Sequence, residues 1–254
     1  MSLHFERLGT GRPLLMVHGL GANLRTWDPI LDTLRGSREL ILVDLPGHGS
    51  SAPLAGRQTV EAHADALANF VQSQGLSTAD LAGSSVGGRL VLELARRGVG
   101  RHCVALDPGG FWRGLETRWF HWTLAASIRL VRLLRPLHTG LARHAFTRTL
   151  LLAQLSARPW LLSPQLVAGE LQSLAATPVF DAMLFELAHG AAPGRLTSDS
   201  RSGHHRLGPP RSPVAAPPGR TRPDSLPVGP AALVRALRAL SALGPARRDG
   251  ATDP

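Results

Sequence analysis

The sequence predicts an α/β fold: a mostly parallel sheet flanked by helices, with a helical insertion in the later part of the chain. Three observations carry this. Short apolar runs end in polar or glycine-rich loops: Leu14-Leu15-Met16-Val17 before His18-Gly19, Leu40-Ile41-Leu42-Val43 before Asp44, and Val104-Ala105-Leu106 before Asp107. Segments with helical spacing separate the runs. Residues 111–190 then carry apolar side chains at helical spacing, with no strand-like run. Strands that alternate with helices through short loops point to a parallel sheet.

The elements follow in order. Residues 14–17 and 40–43 are continuous apolar runs, the pattern of strands buried on both faces. Between them, residues 24–35 have helical spacing, with Asp28-Pro29 in the first turn. Residues 59–74 repeat at helical period through Val60, Ala64, Leu67, Ala68 and Val71. Residues 79–83 read as a short strand and 86–97 as the helix after it. Beyond residue 110, Pro136, Pro159, Pro164 and Pro178 punctuate the helical pattern. This divides the chain into a core of residues 1–110, a helical unit of 111–190 and a tail of 197–254.

Composition narrows the function classes. The chain has 254 residues and a net charge of +10, and all 28 basic side chains are Arg. Ile occurs three times, Asn twice and Tyr not at all, so the missing Lys reads as the bias of a GC-rich genome. One Cys excludes a disulfide scaffold or a Cys-rich zinc module. No apolar run approaches the ~18 residues of a membrane span, and no signal-peptide pattern follows Met1. The expectation is a soluble cytoplasmic protein. Residues 197–254 hold 9 Arg, 4 Asp and 10 of the 20 prolines, but no Glu, Phe or Trp. Such a segment forms few helices or central strands, save a stretch of Ala, Leu and Arg at 231–243 with helix propensity.

The chemistry lies at strand ends. Gly83-Ser84-Ser85-Val86-Gly87 is G-x-S-x-G, set between a strand and a helix. The pentapeptide alone is weak; its context gives it meaning. A tight strand-to-helix turn strains the backbone of Ser85, and Gly83 and Gly87 leave room for it. The turn lifts Oγ above the sheet at a helix N-terminus, where negative charge is favoured. The plain alternative is a glycine-rich turn with a capping serine. His18-Gly19-Leu20-Gly21 ends an earlier strand, where the N–H of Leu20, with that of Val86, could bind an oxyanion. The polar side chains of residues 44–51 read as loop braces.

These motifs, in this order and spacing, resemble the α/β-hydrolase superfamily, of capped serine esterase or lipase type. The resemblance is close over residues 3–110 and looser over 111–190, which is similar to the family's helical cap. It implies Ser85 as nucleophile, Leu20 and Val86 N–H as the oxyanion hole, and His18, Gly19, Gly83 and Gly87 as structural motif residues. It implies hydrolysis of an ester or related acyl or C–C bond through an acyl-enzyme. The substrate would be small and apolar, with no cofactor, no metal and no nucleic-acid partner. Serine at the elbow argues against the branches that use aspartate there.

The resemblance fails late in the chain. The family places an acid after a strand like P-V-x-x-x-W-G-x-x-D and a base in a Gly-His loop near the C-terminus. No Gly-His pair lies beyond His205, so no triad histidine is found, and Asp224, Asp249 and Asp253 follow no strand. A serine without a base is a poor nucleophile. A change of reading frame accounts for this. Gly203-His204-His205-Arg206-Leu207-Gly208 can be encoded GGT CAC CAT CGC CTG GGN, which one base later reads Val-Thr-Ile-Ala-Trp, the missing family strand. The reading is therefore that residues from about Ser198 onward are out of frame, that the C-terminal strands and helix are missing, and that the sheet has an exposed edge.

Other candidates stand beside these. Asp107 ends a strand on the side of Ser85 and is a possible substitute acid; Asp-Pro-Gly-Gly is also ordinary turn chemistry. His121, His138, His144 and His189 lie in the helical unit as surface or packing residues, and His204 and His205 are accidents of the frame. Residues 119–135 are apolar with Arg129, Arg132 and Arg135, matching either a lipid-facing helix or the cap's outer face. The alternatives to an enzyme are a non-catalytic hydrolase-like remnant that binds a ligand or partner, and a polyanion-binding protein using the Arg-rich tail.

Overall fold

A computed structural model of the chain describes residues 2–190, apart from Arg113, Gln154 and Ala157. The irregular tail, the 231–243 helix and the out-of-frame segment lie outside the described residues.

Five strands form one sheet: β1 (Phe5–Leu8), β2 (Arg12–Val17), β3 (Arg38–Val43), β4 (Asp80–Ser84) and β5 (Cys103–Leu106), in the order β1-β3-β2-β4-β5. All neighbours are parallel except β1, which runs antiparallel to β3 with Phe5 opposite Val43 and Leu8 opposite Leu40. The sequence reading assigned no strand before Leu14. β1 has polar Glu6 and Arg7 between its two apolar residues and is only half-buried, so it lacks the continuous apolar run of the interior strands. β5 has no neighbour on its far side among the described residues.

Alternation across the pleat builds two cores. Leu15, Val17, Ile41, Val43 and Leu81 face one way, toward α2 (Val60–Ser73) and α3 (Val86–Arg96). Leu14, Met16, Leu40, Leu42 and Ala82 face the other way, toward Trp27 and α1 (Asp28–Leu34). The predicted helix at 24–35 is a 3₁₀ turn, Leu24–Trp27, followed by α1 with Pro29 in its first turn. Thr59 caps α2 by accepting a hydrogen bond from Ala62 N at 3.1 Å.

From Leu115 onward the described chain is helical: α4 (Leu115–Leu133), α5 (His138–Ala142), α6 (Ala145–Leu152), α7 (Pro164–Ala176) and α8 (Phe180–His189). Pro164 sits in the first turn of α7 beside its cap Ser163, whose oxygen accepts from Leu166 N at 3.2 Å. These helices hold a third core around Leu124, Ile128, Val131, Val167, Leu171 and Phe180.

The topology selects a location. From β2 the chain moves to β3 on one side, then returns to place β4 on the other. In open α/β sheets, ligands bind at such a switch point, beyond the carboxyl ends of the strands. Here the loops leaving β2 and β4 flank it.

Candidate active site

Ser85 stands between β4 and α3 with φ 54° and ψ −117°. Such a conformation is strained for a residue with a Cβ. The surroundings hold it: Ser85 N donates to Leu106 O at 2.9 Å, and Ser85 O accepts from Gly109 N at 3.1 Å and Arg89 N at 3.0 Å. The glycines are forced by space. A Cβ on Gly83 would lie 2.2 Å from Gly87 O, and one on Gly87 would lie 2.2 Å from Val17 O and 2.4 Å from His18 O. β4, the start of α3 and the end of β2 can meet this closely only without side chains there.

The loop after β2 reaches the same point. A Cβ on Gly19 would lie 3.2 Å from Ser85 Cβ and 3.8 Å from its Oγ. Val86 N–H belongs to the first turn of α3, whose amides lack intrahelical acceptors. Leu20 N–H makes no hydrogen bond among the described residues. The structure thus sets the Gly19 backbone against Ser85, with Leu20 next in the chain after Gly19 and Val86 next after Ser85.

His18 is a brace. It is fully buried: Nδ1 donates to Gly19 O at 2.8 Å, and Nε2 accepts from Leu45 N at 3.1 Å. Burial pushes its pKa down to about 4, so the ring is neutral and both nitrogens are occupied. It ties the loop after β2 to the loop after β3. Asp44 does the same: its carboxylate accepts from Leu24 N at 2.8 Å, Ser50 N at 2.9 Å and His4 Nδ1 at 2.8 Å. His48, packed 5.2 Å from the His18 ring, donates from Nδ1 to Pro46 O, and burial pushes its pKa down to about 3. The 44–51 side chains brace the loops.

Asp107 follows β5 with φ 44° and is exposed. Partial desolvation raises its carboxyl pKa. Its loop grips the Ser85 backbone through Leu106 and Gly109, yet no histidine among the described residues bonds to Asp107 or to Ser85 Oγ. His138 donates to Val131 O at 2.8 Å and is buried packing. Burial pushes the Cys103 thiol up to about 12, which removes it as a nucleophile. No group of His, Cys, Asp and Glu among the described residues has the arrangement of a metal site.

Sequence reasoning missed one set of residues. A Cβ on Gly21 would lie 2.5 Å from Leu174 Cδ2 and 2.9 Å from the Phe180 ring, and one on Gly47 would lie 2.5 Å from Val179. The corner between α7 and α8 is thus seated on the glycine turns of both loops. Only tertiary contact reveals this, since no motif joins these segments. A cleft of about 340 Å³ opens beside that corner, lined by Asn23, Gly47, Gln172, Ser173 and Thr177. Ser85 does not line it, so the candidate site rests on the elbow and not on this cleft.

Known proteins place this geometry. A family profile described as alpha/beta hydrolase fold matches residues 12–168. A lipase, Lipase 3 of a Moraxella species, is 36% identical over 107 residues, which is 41% of this chain and 34% of that protein. The dihydrolipoyllysine-residue acetyltransferase component of an acetoin cleaving system from Cupriavidus necator is 34% identical over 94 residues, 37% of this chain and 25% of that protein. The chain therefore spans only a quarter to a third of these relatives. A thermophilic esterase from Thermogutta terrifontis superposes with TM-score 0.55 at 25% identity, covering 74% of this chain and 67% of that one. With the profile matching most of the chain, this protein belongs to the α/β-hydrolase fold family.

Proposed function

We propose that this protein is a serine hydrolase of small apolar carboxylic esters or related acyl substrates, acting in the cytoplasm. The observation that carries the reading is Ser85 in its strained turn against Gly19, with the N–H groups of the residues that follow each, Leu20 and Val86, without acceptors among the described residues. The esterase and lipase names among similar proteins support the same substrate class.

In this reading Ser85 Oγ attacks the carbonyl carbon, and the two amides hold the oxyanion as the tetrahedral intermediate forms. The alcohol leaves with a proton, and water then releases the acid and restores Ser85. The helical unit 111–190 serves as the cap that shapes an apolar acyl site. Asp107 is the candidate acid, and Asp107→Asn tests it.

One observation favours a second reading, a non-catalytic remnant: Ser85 Oγ has no histidine partner among the described residues. We read the missing base as encoded out of frame from about Ser198, so that this chain is inactive or only weakly active as written. Hydrolysis of a p-nitrophenyl ester, compared with Ser85→Ala, separates the readings. Turnover above the variant supports the enzyme; equal rates support the remnant. Resequencing codons 196–212 tests the frame, and an intact frame with no family-like peptide in the next one sinks that part.

A further inference from the structure

Every exposed large apolar side chain among the described residues lies between Phe111 and Phe185. The densest group runs along α4. Leu115, Trp119, Trp122, Leu130 and Leu133 are exposed, the first three at 81%, 74% and 63%. At about 100° per residue these five fall within an arc of about 80°. Leu124, Ile128 and Val131 lie on the opposite side, buried in the third core. α4 is therefore apolar on two faces, and the described residues bury only one. The free face extends about 28 Å along the helix axis.

The charge beside it is mostly positive, with Glu116 on the opposite edge. Arg118 and Arg129 border the stripe along one edge, and neither forms an ion pair among the described residues. Glu116 is the only acid on α4, and Arg132 is engaged with Asp181 at 2.7 Å. Rings extend the patch sideways onto α8: Trp122 contacts His121, His121 contacts His189, and His189 stacks on exposed Phe185.

We propose that this face of α4 docks the protein on an anionic lipid surface. The helix lies in the interface plane, with Trp119, Trp122 and the leucines among the acyl chains and Arg118 and Arg129 reaching lipid phosphates. Tryptophan suits that boundary, with an apolar body and a polar N–H. Arginine keeps its head in the polar layer while its stem covers apolar surface. A second copy of the chain fits less well. In an antiparallel two-fold contact the patch meets itself with the two arginine edges together. The proposal stands independently of catalysis by Ser85.

The test is sedimentation of the full chain with vesicles of phosphatidylcholine alone and of phosphatidylcholine with phosphatidylglycerol. The expected result is binding to the anionic vesicles, weakened by salt and at least tenfold weaker to the neutral ones. Trp119→Ser with Trp122→Ser abolishes it. Arg118→Gln with Arg129→Gln, which keeps the apolar stripe, weakens anionic binding roughly 25-fold, about fivefold for each arginine. Absence of binding, or binding unchanged in both double variants, overturns the proposal. A dimer that separates on the tryptophan substitutions, without vesicle binding by the parent, overturns it in favour of self-association.

Discussion

The sheet half and the helical half of this chain solve the burial problem differently. In β2 and β3, Leu14 to Val17 and Leu40 to Val43 are exposed by 1% or less, and no large apolar side chain of residues 2–110 is exposed. Parallel strands covered by helices on both faces leave no apolar surface over. The helices after residue 114 carry a larger share of Leu, Trp and Phe than residues 2–110 but bury only one side of α4. One half is a closed core with the strained Ser85 turn at its edge; the other carries surface that the described fold does not consume.

Substitutions that cross this divide separate the halves. Gly87→Ala is the most damaging, because the new methyl meets two carbonyl oxygens near 2.2 and 2.4 Å. The expected loss is about 4 kcal/mol or more, enough to prevent folding of a marginal domain. Leu15→Ala, at a fully buried strand position, lowers unfolding free energy by about 3 kcal/mol in urea titrations.

Acid weakens the closed half. Burial holds the pKa of His18 at about 4 and of His48 at about 3, below the ordinary 6.5. The unfolded chain then takes up protons that the folded chain refuses. Stability is complete above pH 6.5 and falls toward pH 4, by up to about 1.4 kcal/mol per pH unit for each histidine. Urea midpoints at pH 7.5, 6 and 5 measure the slope, and His48→Asn makes it shallower. Thr59→Ala costs about 1 kcal/mol through loss of the α2 cap. Trp119→Ser, on the open half, changes stability by less than about 0.5 kcal/mol. A large loss there would mean that α4 buries this face after all.

Legibility in sequence follows the same divide. The interior strands were readable because burial on both faces demands uninterrupted apolar residues. The elbow was readable because its crowded turn admits only glycine at positions 83 and 87. β1 escaped because this half-buried edge strand sets Glu6 and Arg7 between Phe5 and Leu8 and so shows neither a continuous nor an alternating apolar pattern. The seating of Leu174, Val179 and Phe180 on Gly21 and Gly47 left no local trace, since it joins distant segments. The split of the 24–35 helix at Asp28-Pro29 was marked by the proline, but its 3₁₀ character was not. The missing base is a different case: the tail's composition signals that the family pattern stops, and the described residues supply no histidine to replace it.

Mass spectrometry after incubation with a fluorophosphonate tests the reading of Ser85 most directly, because Ser Oγ displaces fluoride and keeps the phosphonyl group. The expected result is one adduct, on the peptide containing Ser85, formed over hours in the absence of a strong base and lost in Ser85→Ala. An adduct on another serine, or none on the folded chain, would contradict a nucleophile at the elbow.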